Sequence, residues 1–263
     1  MISLSACREG RVEDLRLLLA AGADVNQAHN NGRTPLFTAS RWDKTEVVKL
    51  LLAAPGIDVN KADNNGRTPL FRASTKGHAE VVKLLLAAPG IDVNQAANYG
   101  RTPLCLASWD GQVEVVKLLL AAPGIDVNQA DNLYGRTPLW AAIRNGHTEV
   151  VKLLLAAPGI DVNQADNGGS TPLWAAIRNG HVEVVKLLLA APGIDVNQAS
   201  NDNETPLQVS IRRNHFEVKR LIEGWLERRE NERIQIRRLP LPLEVIRDVI
   251  FPMTGHYHQY VKM

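Results

Sequence analysis

The tripeptide Thr-Pro-Leu recurs six times along the chain at an almost constant interval. Its threonines stand at positions 34, 68, 102, 137, 171 and 205, so successive copies are 34 or 35 residues apart. The same longer pattern surrounds the copies, with an Ala after the triplet, then G-H-x-E-V-V-K-L-L-L and A-A-P-G-I-D-V-N. Such a period, with two helical patterns inside it, predicts stacked structural repeats. Because one copy cannot bury its apolar face alone, we expect an elongated array that works by surface recognition.

This pattern resembles the signature of the ankyrin repeat family, T-P-L-H-x-A with a period of about 33 residues. The resemblance covers about residues 1–231, and it implies an all-α solenoid of stacked helix-turn-helix units with capping end repeats. The chain departs from the signature in two ways. Five copies read A-A-P-G-I-D-V-N, one residue longer than the usual loop. The family's histidine is replaced in every copy, by Phe37, Phe71, Cys105, Trp140, Trp174 and Gln208.

The repeats define the domain organisation. We predict an array over residues 1–231 and a C-terminal tail over residues 232–263. The first repeat carries Arg8 and Glu9 among its apolar positions, and the last second helix, from about Phe216, becomes charged after Trp225. Polar ends of this kind suit the caps of a stack. The predicted repeats lie near residues 1–30, 31–64, 65–98, 99–132, 133–167, 168–201 and 202–231.

Residues 64–94 show how one copy is expected to fold. Gly66 follows two Asn residues, as a tight turn with positive φ requires. Thr68 is placed to cap the first helix, and Pro69 stands where a helix needs no N–H donor. Gly77 is expected to end that helix. The second helix is apolar nearly all round, which predicts that it is buried between its neighbours.

Composition narrows the function. The net charge is only +2, which does not indicate a general nucleic-acid binder. Cys7 and Cys105 have neither disulfide nor zinc-ligand spacing, so we interpret both as packed apolar residues in a reducing compartment. No stretch is long enough to span a membrane, and the amino terminus lacks a signal pattern. We expect a cytoplasmic monomer, with the nucleus, or a host cytoplasm for a viral or parasite protein, as alternatives.

No residues show catalytic or metal-binding spacing. His78, His147 and His181 occupy the same place in different copies. Stacked helices lie about 8–10 Å apart, too far for these side chains to share one metal ion. We interpret them as capping helices or bonding to neighbouring backbone, and we regard His256 and His258 in the tail as a weak metal pair. The sequence predicts a protein without metal, cofactor or enzymatic activity.

Positions that differ among the copies are where recognition can diverge. They are the turn tips and the exposed side and end of the first helix, which line the concave binding groove in the ankyrin family. Arginine and aromatic residues recur there and are typical interface anchors, so an acidic or phosphorylated protein surface is the natural target. Alternatively, the Arg of G-R-T-P-L is only a duplicated, solvated scaffold residue. The predicted partner-binding residues are Arg33, Arg41, Trp42, Arg67, Arg72, Tyr99, Arg101, Trp109, Tyr134, Arg136, Arg144 and Arg178.

The tail contains a second motif, L-P-x-E-V-I-x-x-V-I, between two prolines that can begin and end a helix. It resembles the start of an F-box, in which L-P-x-E-V-L-x-x-I-F packs on a Skp-type adaptor. Only about half of an F-box would fit before Met263. The Leu-Pro-Leu-Pro run also resembles the end of a SOCS box, less well, because the elongin-binding Cys would fall near Trp225. The predicted docking residues are Leu241, Pro242, Glu244, Val245, Ile246, Val249 and Ile250.

Two functions remain open at the level of sequence. The chain is predicted to be a non-catalytic scaffold that binds a partner protein through its repeat groove. The alternative is a substrate-recognition adaptor of a ubiquitin ligase, in which the repeats hold the target and the tail docks a Skp-type adaptor. The tail helix would pack on the last repeat in the first case and stay accessible in the second.

Overall fold

The computed structural model describes residues 2–237, and side chains within that range as far as residue 232. In this part of the chain all regular structure is helical, arranged as seven consecutive helix-turn-helix pairs, which confirms the predicted all-α repeat solenoid. The helices are α1 Leu4–Glu9, α2 Val12–Ala20, α3 Pro35–Arg41, α4 Thr45–Leu52, α5 Pro69–Lys76, α6 Ala79–Leu86, α7 Pro103–Trp109, α8 Val113–Leu120, α9 Pro138–Arg144, α10 Thr148–Leu155, α11 Pro172–Arg178, α12 Val182–Leu189, α13 Pro206–Arg212 and α14 Phe216–Arg237.

The helices form two rows. The first helix of each pair contacts the first helices of the neighbouring pairs, and the second helices contact one another in the same way. In the third pair, Ala73 of α5 and Val82 and Leu85 of α6 are buried between the rows. Full burial of a Val or Leu side chain contributes about 1.5–3 kcal/mol to folding, so the interfaces between repeats hold the array together.

The Thr-Pro-Leu triplet starts each first helix from α3 to α13. The threonine side chain accepts a hydrogen bond from the backbone N–H three residues later, at 3.1–3.3 Å in all six copies. Pro69 begins α5, and Gly77 ends it in the left-handed conformation at φ 75°. These contacts confirm the predicted cap and stop signals.

A ladder of five asparagines links each of the first five repeats to the next. The side chain of the last Asn in V-N donates to a glycine carbonyl one repeat further on, at 2.7–2.8 Å. The same side chain accepts from a backbone N–H of that repeat, at 2.8–2.9 Å. Both polar ends of each amide are therefore used between repeats. The ladder consists of Asn26, Asn60, Asn94, Asn128 and Asn163.

Two further sets of hydrogen bonds join neighbouring repeats on the side of the turns. Backbone bonds connect successive turn tips, as from Asn132 N to Tyr99 O at 2.7 Å. Histidine rings donate to the carbonyl at the end of the preceding first helix, as from His147 Nε2 to Trp109 O at 2.9 Å and from His78 Nε2 to Arg41 O at 3.1 Å. Bonding to neighbouring backbone is thus the role of these histidines.

The last helix closes the stack. Trp225 of α14 donates its indole N–H to Leu189 O of α12 at 2.8 Å, and Val218 and Ile222 are buried beneath it. The helix is described as far as Arg237, so its charged segment continues past residue 231.

Both cysteines are buried free thiols, in agreement with their interpretation as packed apolar residues. Burial raises the pKa of Cys7 to about 12 and that of Cys105 to about 12. A thiol that stays protonated at neutral pH is a poor nucleophile and a poor metal ligand.

We predict that the asparagine ladder contributes measurably to stability. Asn94→Ala removes two inter-repeat hydrogen bonds, and at about 0.5–1.5 kcal/mol each it should lower the free energy of unfolding by about 1–3 kcal/mol. Urea denaturation followed by circular dichroism measures the change. Asn197→Ala is the matched control, because the Asn197 side chain ends the ladder without a partner among the described residues; it should cost less than about 0.5 kcal/mol. Equal losses in the two variants would contradict a role for the ladder.

Candidate functional site

The predicted partner-binding residues share one side of the molecule, which we call the groove face: the turn tips together with first helices α3, α5, α7, α9 and α11. Within the described residues, most large apolar side chains are buried or half-buried. Five exposed aromatic side chains depart from this rule. Four of them lie on the groove face, at Trp42, Tyr99, Trp109 and Tyr134, and the fifth is Phe216 at the start of α14. Exposed aromatic residues on successive repeats are typical of a binding surface.

Several arginines of the groove face stack on aromatic rings. The Arg136 guanidinium lies 4.2 Å from the ring centre of Tyr134 and 4.0 Å from that of Trp140, and Arg144 lies 5.7 Å from Trp140. Arg178 lies 5.3 Å from the ring centre of Trp174 in the next repeat. Such cation–π contacts hold each guanidinium in place while leaving its N–H edge available.

Trp140 and Trp174 were absent from the predicted site. The sequence marked them only as replacements for the family's histidine. Both are largely buried, yet each supplies the ring on which a groove-face arginine rests. The sequence did contain a signal for these contacts, because an arginine follows each tryptophan by four residues and so lies one helical turn further along the same face.

A pocket of about 150 Å³ opens between α7 and α9. Arg101 and Arg136 line it together with Trp109, Cys105 and Asp131. It combines two cations, the buried carboxylate of Asp131, one aromatic wall and a buried apolar floor. The pocket therefore suits the side chain of a bound protein segment, with Trp109 as the most accessible wall.

A larger pocket of about 360 Å³ lies at the N-terminal end of the groove face. Arg8, Arg33 and Arg41 line it, along with Trp42 and Thr38. Arg33 lies 5.9 Å from the ring centre of Phe37, and Arg41 lies 5.4 Å from that of Trp42. This end of the face is therefore strongly basic.

Arg67 differs from the other arginines of the groove face, because its charge is engaged within its own turn. Its Nε and Nη2 atoms donate to Asp63 Oδ2 at 2.9 and 2.6 Å, and its backbone N–H donates to Asp63 Oδ1 at 3.1 Å. Burial would raise the pKa of the Asp63 carboxyl, but the hydrogen bonds from Arg67 and from the Asn65 backbone outweigh it and lower the pKa below its ordinary value. Arg67 thus braces the turn tip.

Five nitrogen donors on this side are buried without a hydrogen-bond acceptor within the described part of the chain. Buried polar atoms are normally paired, so these donors leave hydrogen bonds that a bound molecule or an ordered water can complete. Carboxylate and phosphate oxygens are the strongest such acceptors. The donors are Arg33 Nε, Arg72 Nε, Arg136 Nε, Trp140 Nε1 and Trp174 Nε1.

The described residues contain no group of His, Cys, Asp and Glu placed to hold a metal ion. None of the helices described is long and apolar enough to cross a membrane. The predicted docking residues of the tail, from Leu241 to Ile250, and the histidines at 256 and 258 lie outside the described residues.

Comparison with known proteins agrees with this architecture. The family model for ankyrin repeats matches three overlapping stretches, residues 3–97, 56–131 and 128–200. The chain therefore belongs to the ankyrin repeat family. Ankyrin repeats are generally non-catalytic interaction modules, and the chain is accordingly a protein–protein interaction scaffold.

Among solved structures, the chain is similar to the ankyrin repeat domain of Bcl-3, described as a unique member of the IkappaB protein family. The two are 29% identical with a TM-score of 0.75, and the match covers 84% of this chain and 97% of that one. A search of curated proteins finds no match.

We predict that the Asp63–Arg67 pair stabilises the array in a pH-dependent way. Because the folded-state pKa of Asp63 is lowered, its contribution is present above the unfolded-state pKa of about 4 and is lost as pH falls through the folded value. Asp63→Ala should therefore lower the free energy of unfolding by about 1–3 kcal/mol at pH 7, and the difference from wild type should shrink below about pH 3.

Alanine is compatible with this turn, because Ala97 occupies the equivalent position in the next repeat. Ala97→Gly serves as a control for loss of a side chain without loss of a carboxylate. Urea titrations between pH 2 and pH 7 supply the measurement. A difference between Asp63→Ala and wild type that stays constant over this range would contradict the assignment.

Proposed function

We propose that the chain binds an acidic or phosphorylated segment of a partner protein along the concave groove formed by its groove face. The observation that carries the proposal is the set of buried arginine and tryptophan donors without acceptors. A segment rich in carboxylate or phosphate oxygens supplies those acceptors and offsets the positive charge. Membership of the ankyrin repeat family supports binding of a protein partner. The charge and geometry of the groove face support an acidic or phosphorylated segment as the bound part.

The charges on the opposite side favour the groove face further. Along the second helices, lysines pair with glutamates three residues earlier, as in Lys117–Glu114 at 3.2 Å and Lys152–Glu149 at 2.7 Å. That surface is therefore locally neutral. The groove face carries arginines such as Arg33, Arg101 and Arg136, none of which forms an ion pair with another described residue. Uncompensated charge gives electrostatic complementarity to an anionic partner.

The pocket between α7 and α9 locates the proposed centre of the interface. Arg101→Ala combined with Trp109→Ala removes one cation and one aromatic wall from it. We expect capture of partner proteins from a lysate of the source cells to fall at least tenfold, a loss of about 1.4 kcal/mol. The melting temperature should remain close to that of wild type, because both side chains are accessible. Raising the salt concentration should weaken capture by wild type.

Lys117→Ala with Leu118→Ala is the matched control, since it also removes one cation and one apolar side chain, on the second helix α8. It should leave capture unchanged. Unchanged capture by the Arg101 and Trp109 variant would place the interface elsewhere. A large drop in its melting temperature would assign the two side chains to folding instead.

A second candidate function is that of a substrate-recognition adaptor of a ubiquitin ligase. It rests on the resemblance of residues 241–250 to the start of an F-box. One structural observation favours it: α14 already closes the stack through Trp225, so the repeats need no further cap from the tail. The tail would then dock a Skp-type adaptor while the groove face holds the target.

Ile246→Asp tests this candidate. If the tail docks an adaptor, the variant loses co-purification with Skp-type proteins and keeps its melting temperature, because the contact is made in trans. If the tail packs on the last repeat instead, the variant melts earlier and the wild-type chain does not co-purify an adaptor. Glu244→Asp is the conservative control and should leave both readouts near wild type.

We also propose that the chain acts as a monomer in a reducing compartment, the cytoplasm being the first choice. Its two cysteines are free and buried, which is typical of intracellular proteins. The first and last helix pairs of the described array carry many charged side chains, which suit caps, beside the exposed Leu17 and Phe216.

A further inference from the structure

The N-terminal end of the groove face holds three arginines without a carboxylate partner in the described chain: Arg33, Arg41 and Arg72. Two acidic groups of this region are engaged with other arginines. Asp63 binds Arg67 through two guanidinium nitrogens, and Glu9 lies 3.5 Å from Arg8 and 3.2 Å from Arg11. Among the described residues Arg33, Arg41 and Arg72 thus form no ion pair, and only Asp63 offsets part of the charge of Arg72.

These arginines lie in adjoining repeats: Arg33 and Arg41 line one pocket with Thr38, and Arg72 occupies the position of Thr38 in the next repeat. Partial burial, followed by the positive charges of Arg41 and Arg67, lowers the pKa of Arg72, and Arg33 adds to the effect. The Nε atoms of Arg33 and Arg72 are also buried without an acceptor. Like charges held together with unmet donors are unfavourable in the free protein, and a bound anion relieves both costs.

The scaffold does not require an arginine at position 72. The equivalent positions of other repeats hold Thr38, Leu106, Ala141 and Ala175, and those repeats form the same helix pair. Because the fold accepts alanine or leucine at this position, a half-buried charge there does not contribute to folding stability. The charge at Arg72 is therefore better explained by recognition.

The geometry of the pocket favours a compact oxyanion. Arg33 and Arg41 rest on the rings of Phe37 and Trp42, so their N–H edges remain the groups that can reach a ligand. A phosphate monoester carries about −1.5 to −2 charges and three acceptor oxygens, whereas a carboxylate carries one charge and two oxygens. Arg33 and Arg41 in the pocket, together with the charge of Arg72 from the adjoining repeat, match the phosphate better.

We propose that Arg33, Arg41 and Arg72 form a subsite for the phosphate of a phosphoserine or phosphothreonine in the partner protein. This proposal rests on the proposed function, because it places the phosphate in the same groove. It divides the groove face into a phosphate-reading end at the second and third repeats and an arginine–aromatic part at the fourth to sixth. Phosphorylation of the partner would then switch its binding on.

Three degenerate peptide libraries with the same flanking positions test the proposal, carrying serine, phosphoserine or glutamate at the centre. Fluorescence polarisation compares their binding to the full chain, to the cluster variant Arg41→Gln/Arg72→Ala, and to the control Arg144→Gln/Arg178→Ala. Both variants lose two positive charges from the groove face, but the control leaves the proposed subsite intact. An oligothymidylate of matched charge tests whether a nucleic acid binds the same arginines.

Wild type should bind the phosphoserine library at least tenfold more tightly than the serine library and more tightly than the glutamate library. The cluster variant should lose this preference, and its melting temperature should not fall, because it removes like-charge repulsion. The control should keep the preference. The proposal is overturned by an absent preference in wild type, by equal loss in both variants, or by oligothymidylate binding that depends on Arg41 and Arg72.

Phosphatase treatment of the lysate separates this inference from the proposed function. Capture that survives phosphatase but still requires Arg101 and Trp109 leaves the groove as the interface and rejects the phosphate subsite. Capture that is lost after phosphatase and in the cluster variant supports both. If the Arg101 and Trp109 variant captures partner proteins as well as wild type does, the proposed function itself is rejected, whatever result the peptide libraries give.

Discussion

The structure depends on burial between neighbouring repeats. A single helix pair exposes on each side the apolar residues that the next pair must cover, so no repeat is a complete folding unit. Leu85 of α6 and Leu119 of α8, for example, are fully buried only because other pairs stack around them. The asparagine ladder fixes the register of that stacking through two hydrogen bonds per interface. The distances between equivalent side chains on the groove face are set by these contacts between repeats.

The same inter-repeat bonds position the recognition residues. The ring of His78 bonds to the carbonyl of Arg41, and the ring of His147 bonds to that of Trp109. The turn-tip bond from Asn132 fixes the carbonyl of Tyr99. The side chains that vary between repeats are therefore attached to a backbone whose conformation is nearly the same in each repeat. This separation lets duplicated repeats change their binding chemistry without changing their fold.

The repeat architecture was predictable from the sequence because its signals are local and recur in register. Thr68, Pro69 and Gly77 define the ends of α5 through contacts within a few residues, and the structure confirms each of them. The site was only partly predictable. In the sequence Arg67 occupies the same repeat position as Arg33 and Arg101. In the structure its charge is paired with Asp63 in the same turn. The role of the tryptophans that contact Arg136 and Arg178 was missed, because in the sequence a buried aromatic residue that supports a cation cannot be distinguished from an ordinary core residue.

The central claim is that recognition takes place on the groove face and not on the second helices. A photo-crosslinking amino acid placed at Tyr134, and in a separate variant at Lys152 on α10, measures this directly in a lysate of the source cells. Both positions are exposed, so both can react with a protein that lies against them. The account predicts covalent adducts with partner proteins from position 134 and none above background from position 152. Adducts from position 152 alone would contradict it.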